Sequence, residues 1–137
     1  MSSTPKYSFY TTVTPDLCGK EPVMNPTAAF TLFQNAAGLH AEEIGNGTAA
    51  FAEHNRYWVA THTRIDFHEH ARLMEKICVS TWAVRRKPNA VRGYRGYDIK
   101  SGGKLIAEGV TEWVVLDRET GFVRFSQFGF PEDFEFY

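Results

Sequence analysis

The sequence predicts an α+β fold in which one strongly curved antiparallel sheet wraps around a single long helix. Three observations carry that reading. Residues 25–45, NPTAAFTLFQNAAGLHAEEIG, read as a helix that is apolar over most of its circumference. From residue 57 to residue 117 the pattern changes to period two and keeps it. Aromatic residues form 15% of the chain, which suits sheet structure with large contact surfaces. A helix that is apolar on two flanks needs cover on both. A curled sheet supplies one cover, and loops or a partner subunit supply the other.

Each element follows from local chemistry. YSFYTTV (7–13) alternates and is rich in aromatic and β-branched residues, so it predicts a first strand. Pro15, Gly19 and Pro22 then mark a loop. The helix is punctuated at both ends, with Asn25 as N-cap, Pro26 at the first helical position and Gly45 as the left-handed stop after Ile44. On a 100° wheel Ala29, Phe30, Phe33, Ala36, Ala37, His40 and Ile44 share one broad face, widened by Leu32 and Leu39. Thr27, Thr31, Asn35, Gly38 and Glu42 lie opposite. His40 falls centrally on the apolar stripe, which predicts a buried, neutral, hydrogen-bonded ring rather than a catalyst.

YWVATHTRIDFH (57–68), EKICVSTWAVRRK (75–87) and AVRGYRGYDIK (90–100) read as three strands, the second ended by Pro88-Asn89. SGGK (101–104) is a tight hairpin turn and not a phosphate loop, since no helix follows it. LIAEGVTEWVVLD (105–117) is the next strand, and RETG (118–121) turns the chain into FVRFSQF. These strands are expected to follow one another through hairpins. The whole chain, 1–137, is expected to be one domain with its core over about 7–125, and the tail 126–137 has no assigned place.

Composition sets bounds on function. Hydrophobic residues at 43% and charged residues at 23% describe an ordinary globular chain. A net charge of −1 argues against general nucleic-acid binding. No run of 18 apolar residues occurs, so no membrane span is expected, and MSSTPKYSFY lacks the apolar core of a secretory signal. Cys18 and Cys78, without paired spacing, read as free thiols of a cytoplasmic protein. His62, Arg64, Asp66 and His68 share a strand face, and His68-Glu69-His70 invites a metal. No third ligand can be assigned, so a solvated strand end is the expectation and no metal is invoked. Arg85, Arg86, Lys87, Arg92 and Arg95 gather around one hairpin. They suit either solubility or the phosphates of coenzyme A and the acidic surface of a carrier protein.

The segments LFQNAAGLHAEEIG, WVATHTRIDF, VSTW and GGKLIAEGVTEWVVLDRETG occur in an order that resembles the acyl-ACP thioesterase family, over residues 10 to 124 or so. The resemblance is to the first hotdog domain of the two-domain members. It implies a hotdog fold, an acyl-ACP or acyl-CoA thioester substrate and thioesterase activity. Coenzyme A or phosphopantetheine would enter as part of the substrate, with no separate cofactor. It also implies assembly as a homodimer or homotetramer with the site at a subunit interface. In the two-domain members catalysis resides on an Asn-x-His motif of the second domain, and no Asn-x-His occurs here.

Asp16 stands in an Asp-x-x-Gly spacing with Gly19, similar to the catalytic loop of single-domain hotdog thioesterases. Thioester hydrolysis needs a carboxylate to activate water or attack the carbonyl, and a donor for the oxyanion. The resemblance implies a candidate catalytic set of Asp16, helix-start amides near Asn25, and Gln34 or Asn35 as an aligning amide at the mid-helix position where other hotdog thioesterases place an acid. A hydrogen bond to the sheet or partner helix is the plain alternative for those two amides. Phe30, Phe33, Arg85, Arg86 and Arg92 are the candidate substrate-binding residues. A turn Asp capping backbone amides is the plain alternative for Asp16, and an N-cap is the plain alternative for Asn25. At the level of function the alternative is a non-catalytic acyl-CoA or acyl-ACP binding protein, or a partner subunit. A hotdog dehydratase would need a His-plus-acid pair on the helix, which is not found.

Overall fold

The computed structural model describes residues 4–137. Strand β1 (Lys6–Thr12) is followed by a 3₁₀ turn at Pro15–Leu17 and helix α1 (Pro26–Ile44). A short helix α2 (Thr48–Ala52) and the strands β2 (Arg56–Phe67), β3 (Lys76–Ala83), β4 (Arg92–Ser101), β5 (Lys104–Asp117) and β6 (Gly121–Phe122) complete the order. The sheet is antiparallel in the order β1-β3-β4-β5-β2, with β6 paired to β5. It curls around α1 in the hotdog arrangement that the sequence predicted.

Helix α1 begins and ends where its capping chemistry places it. Asn25 Oδ1 accepts the Ala28 amide at 2.8 Å, and Gly45 takes φ of 100°. Its buried arc is Ala28, Ala29, Leu32, Phe33, Ala36, Ala37, His40 and Ile44. Phe30 is 41% exposed, so the wheel assignment that put it on the buried face is corrected. It falls at the edge of that arc, one turn before Gln34 on the open flank. Leu39 is exposed too. Phe33 packs fully buried against Tyr97, ring centroids 4.8 Å apart. Gly109 makes this approach possible, because a Cβ there would sit 3.1 Å from the Phe33 ring and 2.9 Å from the Arg64 carbonyl.

Other expectations are also revised. The strands from β2 onward do not all follow through hairpins. β2 pairs with β5 at one end of the sheet, while β3 pairs with β1 and β4 toward the other, so the chain crosses between them. β3 stops at Ala83 rather than reaching residue 87. FVRFSQF contributes little strand, since the amides of Phe125 and Ser126 turn to the carbonyls of Ala90 and Pro88. The tail folds back, burying Phe128 and Phe134, and the carbonyl of Phe128 is held by Asn46 Nδ2 at 3.0 Å.

Candidate functional site

The inner face of the sheet is set by period two. On β4 the residues in phase are Gly93, Arg95, Tyr97 and Ile99, and their register partners on β5 include Trp113, Thr111 and Gly109. Toward β3 and β1 the same face carries Val79 and Phe9, and it is apolar. Midway across it runs a polar belt. Thr81 donates to the Gly96 carbonyl at 2.9 Å, Arg95 reaches Thr81, and the hydroxyls of Thr111 and Thr63 lie 3.0 Å apart.

Arg95 is the centre of this belt. The expectation that it joins an exposed basic hairpin is corrected, because it is 8% exposed beneath helix α1. Its Nη1 donates to His40 Nδ1 at 2.8 Å and lies 3.3 Å from Thr81 Oγ1. Arginine has no acceptor, so Nδ1 of His40 must accept, and the neutral ring then donates from Nε2 to the Thr4 carbonyl at 2.8 Å. Burial is the main cause holding the His40 pKa below its ordinary value, and the Arg95 charge adds to it. Burial also brings the Arg95 guanidinium down to about 10, which leaves it charged at neutral pH. His40 is buried with both ring nitrogens hydrogen-bonded, in keeping with its predicted place in the core. Phase was the available signal for Arg95, since it alternates with Arg92 and Tyr94 and matches Tyr97 and Ile99.

Between the second half of α1 and the β2–β5 side of the sheet lies a cleft of about 680 Å³. Gln34, Asn35, Gly38 and Leu39 line it from the helix, with Arg95, Trp58 and Trp113 from the sheet. The two tryptophans meet edge to face at 6.0 Å, and Trp58 is fixed by donating to the Asn46 carbonyl at 2.8 Å. Gln34 Nε2 is a buried donor without a partner among the described residues, and the Trp113 indole N–H faces the buried Tyr97 hydroxyl in a poorly aligned contact. Unpaired buried donors of this kind cost stability unless something fills them.

The other predicted residues lie apart from this cleft. Asp16 is exposed on the 3₁₀ turn, where its carboxylate accepts from Thr14 Oγ1. The turn is tied to the helix start because the Asn25 amide donates to the Leu17 carbonyl. Of the first-turn amides, Pro26 has none, those of Ala28 and Ala29 are taken by Asn25, and that of Thr27 has no acceptor among the described residues. Phe33 belongs to the dry core. Arg85 lies over Phe136 and Arg86 over Tyr94, each 4.7 Å from the ring, and Arg92 pairs with Glu112 at 2.7 Å. His68 pairs with Glu108 at 2.7 Å. Among the described residues no group of three His, Cys, Asp or Glu side chains is placed to hold a metal. No helix among them is long and apolar enough to cross a membrane.

Residues 15–124 match the sequence model of the acyl-ACP thioesterase N-terminal domain. The chain belongs to that family. No curated protein sequence matches it, but solved structures do. An acyl-ACP thioesterase from Bacteroides thetaiotaomicron superposes with a TM-score of 0.79 at 22% identity, over 85% of this chain and 48% of that one. The 12:0-ACP thioesterase from Umbellularia californica gives a TM-score of 0.76 at 14% identity, over 88% and 49%. The DHNA-CoA thioesterase from Staphylococcus aureus gives 0.75 at 19% identity, over 87% and 80%. This member of the acyl-ACP thioesterase N-terminal domain family thus spans about half the length of the two acyl-ACP thioesterases it matches.

Proposed function

We propose that this chain binds an acyl thioester, with the acyl group in the cleft beside α1, and hydrolyses it. The observation that carries the reading is the cleft itself. It is a mostly apolar space of about 680 Å³ with N–H donors of Arg95 and Gln34 on its lining, in a chain whose family is that of acyl-ACP thioesterases. The thiol carrier is coenzyme A or the phosphopantetheine of an acyl carrier protein, drawn from the cytoplasm. Arg85, Arg86 and Arg92 at the β3–β4 hairpin offer charge for phosphates or for an acidic carrier surface. No metal or redox group takes part.

In this proposal Asp16 supplies the carboxylate that activates water, and the Thr27 amide at the helix start stabilises the oxyanion. Asn25, whose Oδ1 is taken by the cap, acts by holding that turn. Gln34 and the exposed Asn35 are amides, so they align groups and do not accept protons as bases. Among the described residues the terminal strand β2 has an unpaired, largely exposed edge. A second copy pairing there extends the sheet, and Phe30 on the open flank adds to the shared surface.

A second reading is favoured by one observation. Asp16 does not line the cleft, as fits an acyl-thioester binding module or the partner of a catalytic hotdog subunit. Thiol release from short, medium and long acyl-CoA and acyl-ACP substrates separates the two, with wild type compared with Asp16→Asn. Turnover that collapses in the variant, with the oligomer intact, supports hydrolysis through Asp16. Unchanged turnover keeps the hydrolase and removes Asp16 from it. Binding without turnover on any substrate makes the chain a binding module.

A further inference from the structure

Among the described residues Arg95 has no anion to answer it. A buried guanidinium is ordinarily matched by a carboxylate, because stripping water from an unmatched charge is expensive. The ion pairs of the described residues involve Arg56, Arg64, His68 and Arg92, and none involves Arg95. Its two hydrogen bonds, both from Nη1, go to the neutral acceptors His40 and Thr81. Nε and Nη2 make none among the described residues, and the side chain lines the cleft.

The neighbouring lining residues add further N–H donors. Gln34 Nε2 is a buried N–H donor on a lining residue and has no partner among the described residues, whereas Trp113 Nε1, also on a lining residue, has the Tyr97 hydroxyl beside it. A guanidinium and an indole offer no acceptor at all. Whatever completes the site must therefore accept hydrogen bonds, and a cation among the donors favours an anion. The rest of the lining is largely apolar, including Phe9, Ala37 and Trp58. Glu42 is the carboxylate among the lining residues, and it lies exposed on the rim, turned over Gly47.

Position decides which part of a ligand meets these donors. Arg95 rises from the sheet floor and is nearly buried, whereas Gly38 and Leu39 on the rim are exposed. The phosphates of a carrier stay outside such a floor. The helix start, where Thr27 offers its amide, is about 10 Å along the axis from Gln34. A thioester carbonyl held there leaves the floor for a group farther along the acyl chain.

We propose that the cleft selects acyl thioesters whose acyl group ends in a carboxylate, seated on Arg95 with N–H support from Gln34. This rests on the reading of the cleft as an acyl-thioester site, and it names the substrate class for it. His40 is then a positioning residue. It holds the guanidinium by a neutral acceptor and leaves its charge for the ligand, where a carboxylate partner would cancel it.

The test separates binding from chemistry. Binding of non-hydrolysable acyl-CoA thioethers is measured by calorimetry, in pairs of equal chain length ending in a methyl or a carboxylate. Wild type should bind the carboxylate-ended member roughly tenfold to a hundredfold more tightly. Arg95→Met should reduce that ratio to about one. Equal binding of both members, or a preference for the methyl-ended one, overturns the proposal. So does an Arg95→Met variant that weakens both members alike, which would place Arg95 on the thioester carbonyl. Should the variant fail to fold, the wild-type ratio still decides. Thiol release from the matching thioesters is read alongside. A carboxylate preference without thiol release retains this inference and removes the hydrolase reading, whereas thiol release without the preference does the reverse.

Discussion

The first half of helix α1 and the second half face the same sheet under different rules. Ala29, Leu32 and Phe33 press onto an apolar surface, with Phe33 stacked on Tyr97 and Gly109 shaped to admit it. One to two turns later His40 meets Arg95, and the flank carrying Gln34 and Gly38 faces open space. The first half gains its stability from close packing of apolar atoms. The second holds polar groups whose hydrogen-bonding capacity the fold does not fill. A helix that is greasy almost all round can thus build a core with one stretch and a binding cleft with the next. The difference lies in the sheet residues opposite, not in the helix pattern.

Substitutions on the two sides should behave differently. The largest effect is expected at the dry end, where Phe33→Ala should destabilise the protein by about 3–5 kcal/mol in urea unfolding. A loss below about 1 kcal/mol would show that this half is no better packed than the cleft. The next effect is a pH dependence rooted in the wet half. Burial holds the His40 pKa below its ordinary value, so the unfolded chain takes up a proton before the folded one does. Its contribution is fully present above about pH 6.5 and is lost as pH falls below that value toward the folded pKa. Urea midpoints should decline over that interval in wild type, with a shallower slope in His40→Asn. An identical slope in the two proteins would mean that His40 is not the group responsible. The smallest effect is a gain. A Cβ on Gly38 meets nothing within 4 Å, so Gly38→Ala should stabilise the helix by about 0.5–1 kcal/mol. Destabilisation there would mean that the cleft is closed in solution.

How much of this was legible in the sequence depended on how local the cause was. Asn25, Pro26 and Gly45 mark the helix ends through bonds within a few residues, and those ends were readable to the residue. The burial of His40 followed from its place on the wheel. Its partner did not, because Arg95 is 55 residues away in sequence. The phase of Arg95 with Tyr97 and Ile99 was present in the text, but grouping it with nearby arginines by composition hid it. The end of β3 at Ala83 falls short of the Pro88-Asn89 punctuation from which a strand end could be read. Helix α2 is too short for periodicity to reveal. The cleft was invisible for the same reason, since it is made by what α1, β2 and β5 leave between them. Its helical residues Gln34 and Asn35 were nevertheless named from their position on α1.

The central claim is that the acyl group lies along the second half of α1, and filling that space tests it most directly. Gly38 lines the cleft and a Cβ there meets nothing within 4 Å, so Gly38→Phe directs a ring into that space. Calorimetry of coenzyme A and of a non-hydrolysable acyl-CoA thioether, on wild type and on this variant, gives the affinity that the acyl group adds. The account predicts a wild-type increment of at least about tenfold that falls to about one in the variant, with the thermal midpoint maintained. An increment that survives the filled cleft would put the acyl chain elsewhere and contradict the account.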